Sequence, residues 1–167
     1  NKFKYILVDE FQDTNHAQNE LVLLLGQPHT NVCVVGDDDQ SIYSWRGAKV
    51  TNIIEFDSHF ENTRTIKLEQ NYRSTKNILK AANSIICNNE ERKKKKLWTE
   101  NEKGELISKF RASDEKEEVL FMLEKIRDIK KKESSFYRDF AVFYRTNAQS
   151  RAVEEVLVKE NIPYKIY

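Results

Sequence analysis

The run Tyr5-Ile-Leu-Val8, followed at once by Asp9 and Glu10, limits the folds open to this chain more than anything else in it. A short, unbroken apolar run rich in β-branched residues predicts a strand covered on both faces, the usual state of a strand in a parallel sheet. Asp9 and Glu10 then leave the carboxyl end of that strand, the edge at which open α/β sheets hold their ligands. Two adjacent acids there suit metal-assisted chemistry on a phosphate, one carboxylate holding Mg2+ through water and the other polarising the attacking water. They equally suit an acidic cap on the next helix, and the residues by themselves leave both readings open.

Strand and helix patterns alternate from there. Asp13 or Thr14 is placed to cap a helix to Leu25, with Leu21, Leu24 and Leu25 on one face, and Gly26-Gln-Pro28 ends it. Asn31 to Val35 reads as a second buried strand, so strand, helix and strand within about thirty residues predict a parallel βαβ unit. Ala48 to Phe56 looks helical and Thr65 to Leu68 is a third short strand. Ser74 or Thr75 caps a helix to Asn88 with the stripe Ile78, Leu79, Ala82, Ile85 and Ile86. Strands are then expected at Glu105–Arg111, Phe140–Tyr144 and Ile162–Tyr167. Between them fall a helix from Asp114 to Lys131, built on Val119, Met122, Leu123 and Ile126, and one from Asn147, as its cap, to Lys159, with Val153, Val156 and Leu157 inward. The α/β alternation occurs twice and breaks between Gln70 and Thr75, giving expected domains of 1–73 and 74–167.

At 39% apolar and 33% charged residues, the chain can form a real core under a heavily charged surface. A net charge of only +1 means that any nucleic-acid contact must be local. The strip Glu90 to Lys96 is either a solvated loop or a phosphate-contacting patch. Cys33 and Cys87 lack partners at metal spacing and read as buried, reduced thiols of an intracellular protein. No apolar run reaches membrane length. Asn1 is not an initiator Met and a strand follows almost immediately, so a piece of a longer polypeptide is expected.

The loop Gly36-Asp-Asp-Asp-Gln-Ser-Ile-Tyr-Ser-Trp-Arg-Gly-Ala48 follows the second strand and so shares the sheet edge of Asp9 and Glu10. The Gln40 amide can bond a phosphate oxygen and an attacking water together. Tyr43 and Trp45 offer flat faces to unpaired bases, and Arg46 a fixed cation for a phosphate. An aromatic pair can also be plain core packing, a reading weakened by this polar, Gly- and Ser-containing setting. After the third expected strand, Arg73 could act as an arginine finger and Tyr72 could cover a purine ring; alternatively Arg73 pairs with a local acid such as Glu69.

Asp9-Glu-Phe-Gln-Asp-Thr-Asn15, Gly36 to Ala48, and Gln70-Asn-Tyr-Arg-Ser-Thr75 together resemble helicase motifs II, III and IV of the UvrD/PcrA/Rep family of superfamily 1. Tyr144-Arg-Thr-Asn-Ala-Gln-Ser-Arg151 is similar to the segment that follows motif IV in that family. The resemblance implies parts of two RecA-like, parallel-sheet α/β domains and an ATP-dependent DNA helicase. It implies ATP and Mg2+ as cofactors, single-stranded DNA and duplex junctions as partners, the remainder of the helicase chain and repair or replication proteins beside it, and a cytoplasmic, nucleoid-associated setting with no membrane. Asp9 would help hold Mg2+, Glu10 activate the hydrolytic water, Gln40 sense the γ-phosphate, Tyr72 stack on adenine and Arg73 contact the γ-phosphate. Tyr43, Trp45 and Arg46, and in the second domain Arg145 and Asn147, would bind the DNA strand, although Asn147 is equally readable as a helix cap.

The family's phosphate loop, Gly-x-x-x-x-Gly-Lys-Ser/Thr, and its motifs V and VI are not among these residues. The 167 residues alone are therefore expected to be inactive as an ATPase. Other readings are the helicase subunit of a recombination helicase–nuclease, and a non-catalytic DNA-binding or partner-docking remnant.

Overall fold

The computed structural model describes residues 3–90 and 92–167; Glu91, within the basic strip, lies outside them. The chain forms two compact units, Asn1–Ile107 and Ser108–Tyr167.

In the first unit, β1 (Ile6–Val8) pairs in parallel with β2 (Val32–Val34), in the register Ile6 to Val32 and Val8 to Val34. The crossover is α1 (His16–Gly26), so the expected βαβ unit is present. Its cap is Asn15, neither Asp13 nor Thr14, because Phe11–Asp13 are spent in a 3-10 turn. The Asn15 side chain accepts from the Gln18 amide at 3.0 Å and the Gln18 side chain accepts from the Asn15 amide at 2.9 Å, a reciprocal capping box. Phe11, Val22 and Phe56 form the core, flanked by Val8, Val32, Val34, Ile53 and Phe60. The rings of Phe11 and Phe56 meet edge to face at 5.3 Å. The expected helix at 48–56 is a single turn, α2 (Thr51–Ile54), followed by a 3-10 turn. Thr75 occupies the cap position of α3 (Lys76–Ile86) without a side-chain cap bond.

The second unit is a helix pair. Asp114 caps α4 (Glu115–Glu133), its side chain accepting from the Glu117 amide at 2.7 Å. Three glutamates occupy the first turn and three lysines the last, complementing the helix dipole at both ends. It packs on α5 (Asn147–Lys159) through Val119, Leu123, Val156 and Leu157, with Met122, Ile126 and Val153 against them, which is the expected inward set, and Ile162 joins the same cluster.

Several expectations are corrected. The sheet is covered on one face among the described residues: Leu7 is 78% exposed, and Cys33 and Cys87 are exposed, not buried. α1 buries Asn19, Val22 and Gly26 while Leu21, Leu24 and Leu25 face outward, because a two-stranded sheet covers only a narrow stripe of a helix. On α3 only Leu79 of the expected stripe is buried. The runs at 65–68, 105–111, 140–144 and 162–167 form no strands. A strand exists only when another strand pairs with its amides and carbonyls, and no described segment does so for these runs; the two isolated bridges, Asn15 to Ala48 and Gln70 to Trp98, lie outside them.

Candidate functional site

The acid pair sits on a turn fixed from below. Glu10 takes a left-handed backbone, φ 50° and ψ 42°, which costs a non-glycine residue about 1–2 kcal/mol. The next two residues hold it there: Phe11 is fully buried and donates its amide to the Val35 carbonyl at 3.0 Å, and Gln12 is 1% exposed. Asp9 and Glu10 are themselves exposed. One Asp9 oxygen accepts the Glu10 amide at 2.9 Å. Glu10 Oε2 accepts from Gln12 Nε2 at 2.8 Å, and Gln12 Oε1 accepts from the Asp37 amide at 2.9 Å.

Asp37 opens the polar loop and caps its first turn. Its two carboxylate oxygens accept from the Asp39 amide at 3.0 Å and from Gln40 Nε2 at 2.7 Å. Glu10 and Gln40 are therefore brought into one hydrogen-bonded chain. Farther along the same loop, Tyr43 and Trp45 lie 6.3 Å apart between centroids, and the Arg46 guanidinium stands 4.9 Å and 4.4 Å from their respective ring centres. Trp45 is 73% exposed, so this is a surface platform and not core packing. The far end of the loop returns to the acid turn: the Lys49 amide donates to the Thr14 carbonyl at 3.0 Å, and buried Asn52 donates to the carbonyl and hydroxyl of Thr14 at 3.0 and 3.1 Å.

Two cations of the basic strip, Arg92 and Lys95, are turned onto the aspartates of the Gln40 loop, while Lys94 and Lys96 are exposed. Arg92 grips Asp39 with two nitrogens, Nε to Oδ1 at 2.8 Å and Nη2 to Oδ2 at 2.6 Å. Lys95 Nζ lies among Asp37, Asp38 and Asp39 at 2.7, 2.6 and 2.9 Å. Three clustered carboxylates resemble a cation site, and here an ammonium group fills it. The Lys96 amide donates to Glu69 Oε1 at 2.8 Å, and Trp98 exchanges backbone hydrogen bonds with Glu69 and Asn71. The strip thus ties the Gln40 loop to the segment that carries Tyr72 and Arg73. Sequence reasoning missed Gln12, Arg92 and Lys95. For the last two the signal was available as charge complementarity, three consecutive aspartates against four consecutive lysines; for Gln12 no local pattern distinguishes it.

Burial pushes the Asp39 carboxyl up, but hydrogen bonds from Arg92 and Lys95 outweigh it and hold it below the usual carboxylate value. Burial likewise opposes the charge on Lys95, and hydrogen bonds to the three aspartates more than reverse this, raising it above the usual lysine value. A lowered carboxyl contributes stability above its unfolded pKa, lost as pH falls through the folded value. A raised ammonium contributes stability below its unfolded pKa, lost as pH rises through the folded value. Hydrogen-exchange protection of amides 37–41, corrected for intrinsic rates, should be flat between about pH 5 and 9 and fall off outside that window. Lys95→Met should lower the plateau; an unchanged plateau would show that the clamp does not hold the loop.

Tyr72 and Arg73 are exposed. The Tyr72 hydroxyl donates to Gln70 Oε1 at 2.9 Å. Arg73 does not pair with Glu69: its side chain has no hydrogen-bond or ion-pair partner among the described residues, while Asn71 Oδ1 receives its backbone amide at 2.9 Å. In the second unit Arg145 and Asn147 are exposed at the start of α5. The N-terminal cap position there is Thr146, whose amide donates to Gln149 Oε1 at 3.0 Å, so Asn147 is the first helical residue and not the cap.

A family model described as the UvrD/REP helicase N-terminal domain matches residues 1–61, and one described as the UvrD-like helicase C-terminal domain matches residues 66–167. The ATP-dependent DNA helicase PcrA of Leuconostoc citreum is 54% identical over 165 residues, which is 99% of this chain and 22% of the relative. The protein of the same name from Staphylococcus aureus strain Mu50 is 55% identical over 166 residues, and that from Staphylococcus epidermidis 52% over 164, each covering 98% of this chain and 22% of the relative. The chain spans about a fifth of the length of these curated relatives.

Proposed function

This chain belongs to the UvrD/Rep family of helicases, and from that premise we propose that its full-length gene product is an ATP-driven enzyme that moves 3′→5′ on single-stranded DNA and separates duplexes in repair or replication. In this reading 1–73 belong to the first RecA-like domain and 74–167 to the second. The observation that carries the proposal is the single loop on which Gln40, hydrogen-bonded towards Glu10, is followed within a few residues by the exposed Tyr43, Trp45 and Arg46 platform.

Glu10, exposed and with one oxygen free of partners among the described residues, accepts a proton from the attacking water. Gln40 orients that water against the γ-phosphate. Arg73, with no ion-pair partner among the described residues, neutralises charge developing on the transferred group, and Tyr72 covers the adenine. Asp9 is a hard oxygen donor with its second oxygen unpartnered among the described residues, which fits a water-mediated hold on Mg2+. When bound, Mg2+ supplies charge neutralisation on the phosphate oxygens. Loss of the γ-phosphate changes the contacts of Gln40 and so the posture of its loop, altering the grip of Tyr43 and Trp45 on bases. Stacking of this kind contributes about 1–3 kcal/mol per base, enough to make the grip switchable. Arg145 and Asn147 add donors for DNA phosphates.

Strand displacement tests the proposal. The full-length gene product should separate a duplex carrying a 3′ single-stranded tail, with ATP and Mg2+, and leave a duplex with only a 5′ tail intact. Separation of the 5′-tailed substrate alone would reverse the assigned polarity, and separation of neither would remove the helicase reading.

A further inference from the structure

Among the described residues of the first unit, Gln12 is the most deeply buried polar residue, at 1% exposure, yet neither end of its amide is used to knit the core. Its nitrogen donates to an exposed carboxylate, Glu10 Oε2 at 2.8 Å, and lies at the limit of hydrogen bonding, 3.5 Å, from Asp13 Oδ2. Its oxygen accepts from the backbone of a different segment, the Asp37 amide at 2.9 Å. Asp37 then accepts from Gln40 Nε2 at 2.7 Å, and Ser41 Oγ donates to the Gln12 carbonyl at 3.2 Å. Gly36 permits the approach: a Cβ there would collide with Gln12 Oε1 and the Ile53 side chain. Lys95 fixes the far side of Asp37 at 2.7 Å.

An amide has one donor end and one acceptor end, so it can join a carboxylate to an N–H group, and neither a carboxylate nor a hydrocarbon of its length can do both. Held in a buried slot, it also holds the carboxylate to one rotamer. We propose that Gln12 is a positioning residue that fixes the Glu10 carboxylate for proton abstraction and joins it through Asp37 to Gln40, so that the water-activating group and the γ-phosphate-sensing group move as one. This rests on the assignment of Glu10 as the base.

Two variants of the full-length gene product separate this from a packing role. Gln12→Glu keeps the acceptor for the Asp37 amide and replaces the donor by a second carboxylate beside Glu10. Gln12→Met keeps length and loses both bonds. Both should retain the parent KM for ATP and lose about 100-fold in DNA-stimulated kcat, the scale on which a misplaced general base is felt. Parent kcat in folded Gln12→Glu and Gln12→Met would overturn the inference.

If neither variant folds, exposed Glu10 gives a second route. Glu10→Ala frees the Gln12 nitrogen and should speed hydrogen exchange at the Asp37 amide by about tenfold or more while leaving the α1 amides unchanged. Unchanged exchange at Asp37 would overturn it as surely. Glu10→Gln distinguishes the two levels. If it turns over ATP normally, the base assignment fails, whereas loss of turnover there with parent-like Gln12 variants sinks only the role given to Gln12.

Discussion

Glu10→Gln in the full-length gene product should lower DNA-stimulated ATP turnover by about a thousandfold, within the range general bases supply, with the KM for ATP within about threefold of the parent. The substitution keeps size and keeps an oxygen to accept from Gln12 Nε2, so the turn and its buried supports are undisturbed. What it removes is the ability to take a proton. A fall in kcat without a rise in KM is the signature of a group that acts only in the transition state. Glu10 is exposed, and its left-handed backbone is maintained by Phe11 and Gln12 beneath it, so folding should be unaffected. Turnover at the parent rate would remove Glu10 as the base.

The other large effect is on stability. Phe11→Ala should destabilise the first unit by about 4 kcal/mol, the usual cost of truncating a fully buried aromatic ring. Phe11 is 0% exposed, packs edge to face on Phe56, and shares a cluster with residues of both strands and α1, so little around it can collapse into the space. A domain is stable by only about 5–15 kcal/mol, so this is a large fraction of the whole. Trp45 and Trp98 both lie in the first unit, so urea unfolding of the 167-residue chain followed by their fluorescence reports that unit. Phe11→Leu, which keeps most of the apolar volume, should cost about 1 kcal/mol. Equal losses for the two variants would mean that the ring does not organise this core. Because Phe11 stands between Glu10 and Gln12, the Ala variant should also loosen the acid turn.

The helices were legible wherever the signal was local. Asp114 capped α4 as expected, and the inward sets of α4 and α5 followed from spacing. Capping failed by one or two residues at α1 and α5: Asn15 forms a reciprocal box with Gln18, and at α5 the Gln149 side chain accepts the Thr146 amide. Strands were legible only for the pair joined by α1. Phe140–Tyr144 has a strand's composition, yet Phe143 is 94% exposed and the run forms no ladder, because ladder formation depends on a partner that a local pattern does not specify. The candidate site divides in the same way. Asp9, Glu10, Gln40, Tyr43 and Trp45 stand in recognisable motifs. Gln12, Arg92 and Lys95 act through contacts across 25 to 58 positions of chain, which only the folded structure brings together.

In the proposed enzyme the acid pair, Gln40 and the Tyr72–Arg73 segment serve one nucleoside triphosphate. The most direct measurement is a crystal structure of the full-length gene product with Mg2+, a non-hydrolysable ATP analogue and single-stranded DNA. Glu10, Gln40 and Arg73 should lie within about 3.2 Å of the γ-phosphate or of a water poised to attack it, with Tyr72 stacked on the adenine. An analogue bound with Gln40 and Arg73 on separate surfaces, neither touching it, would show that these residues do not serve one nucleotide.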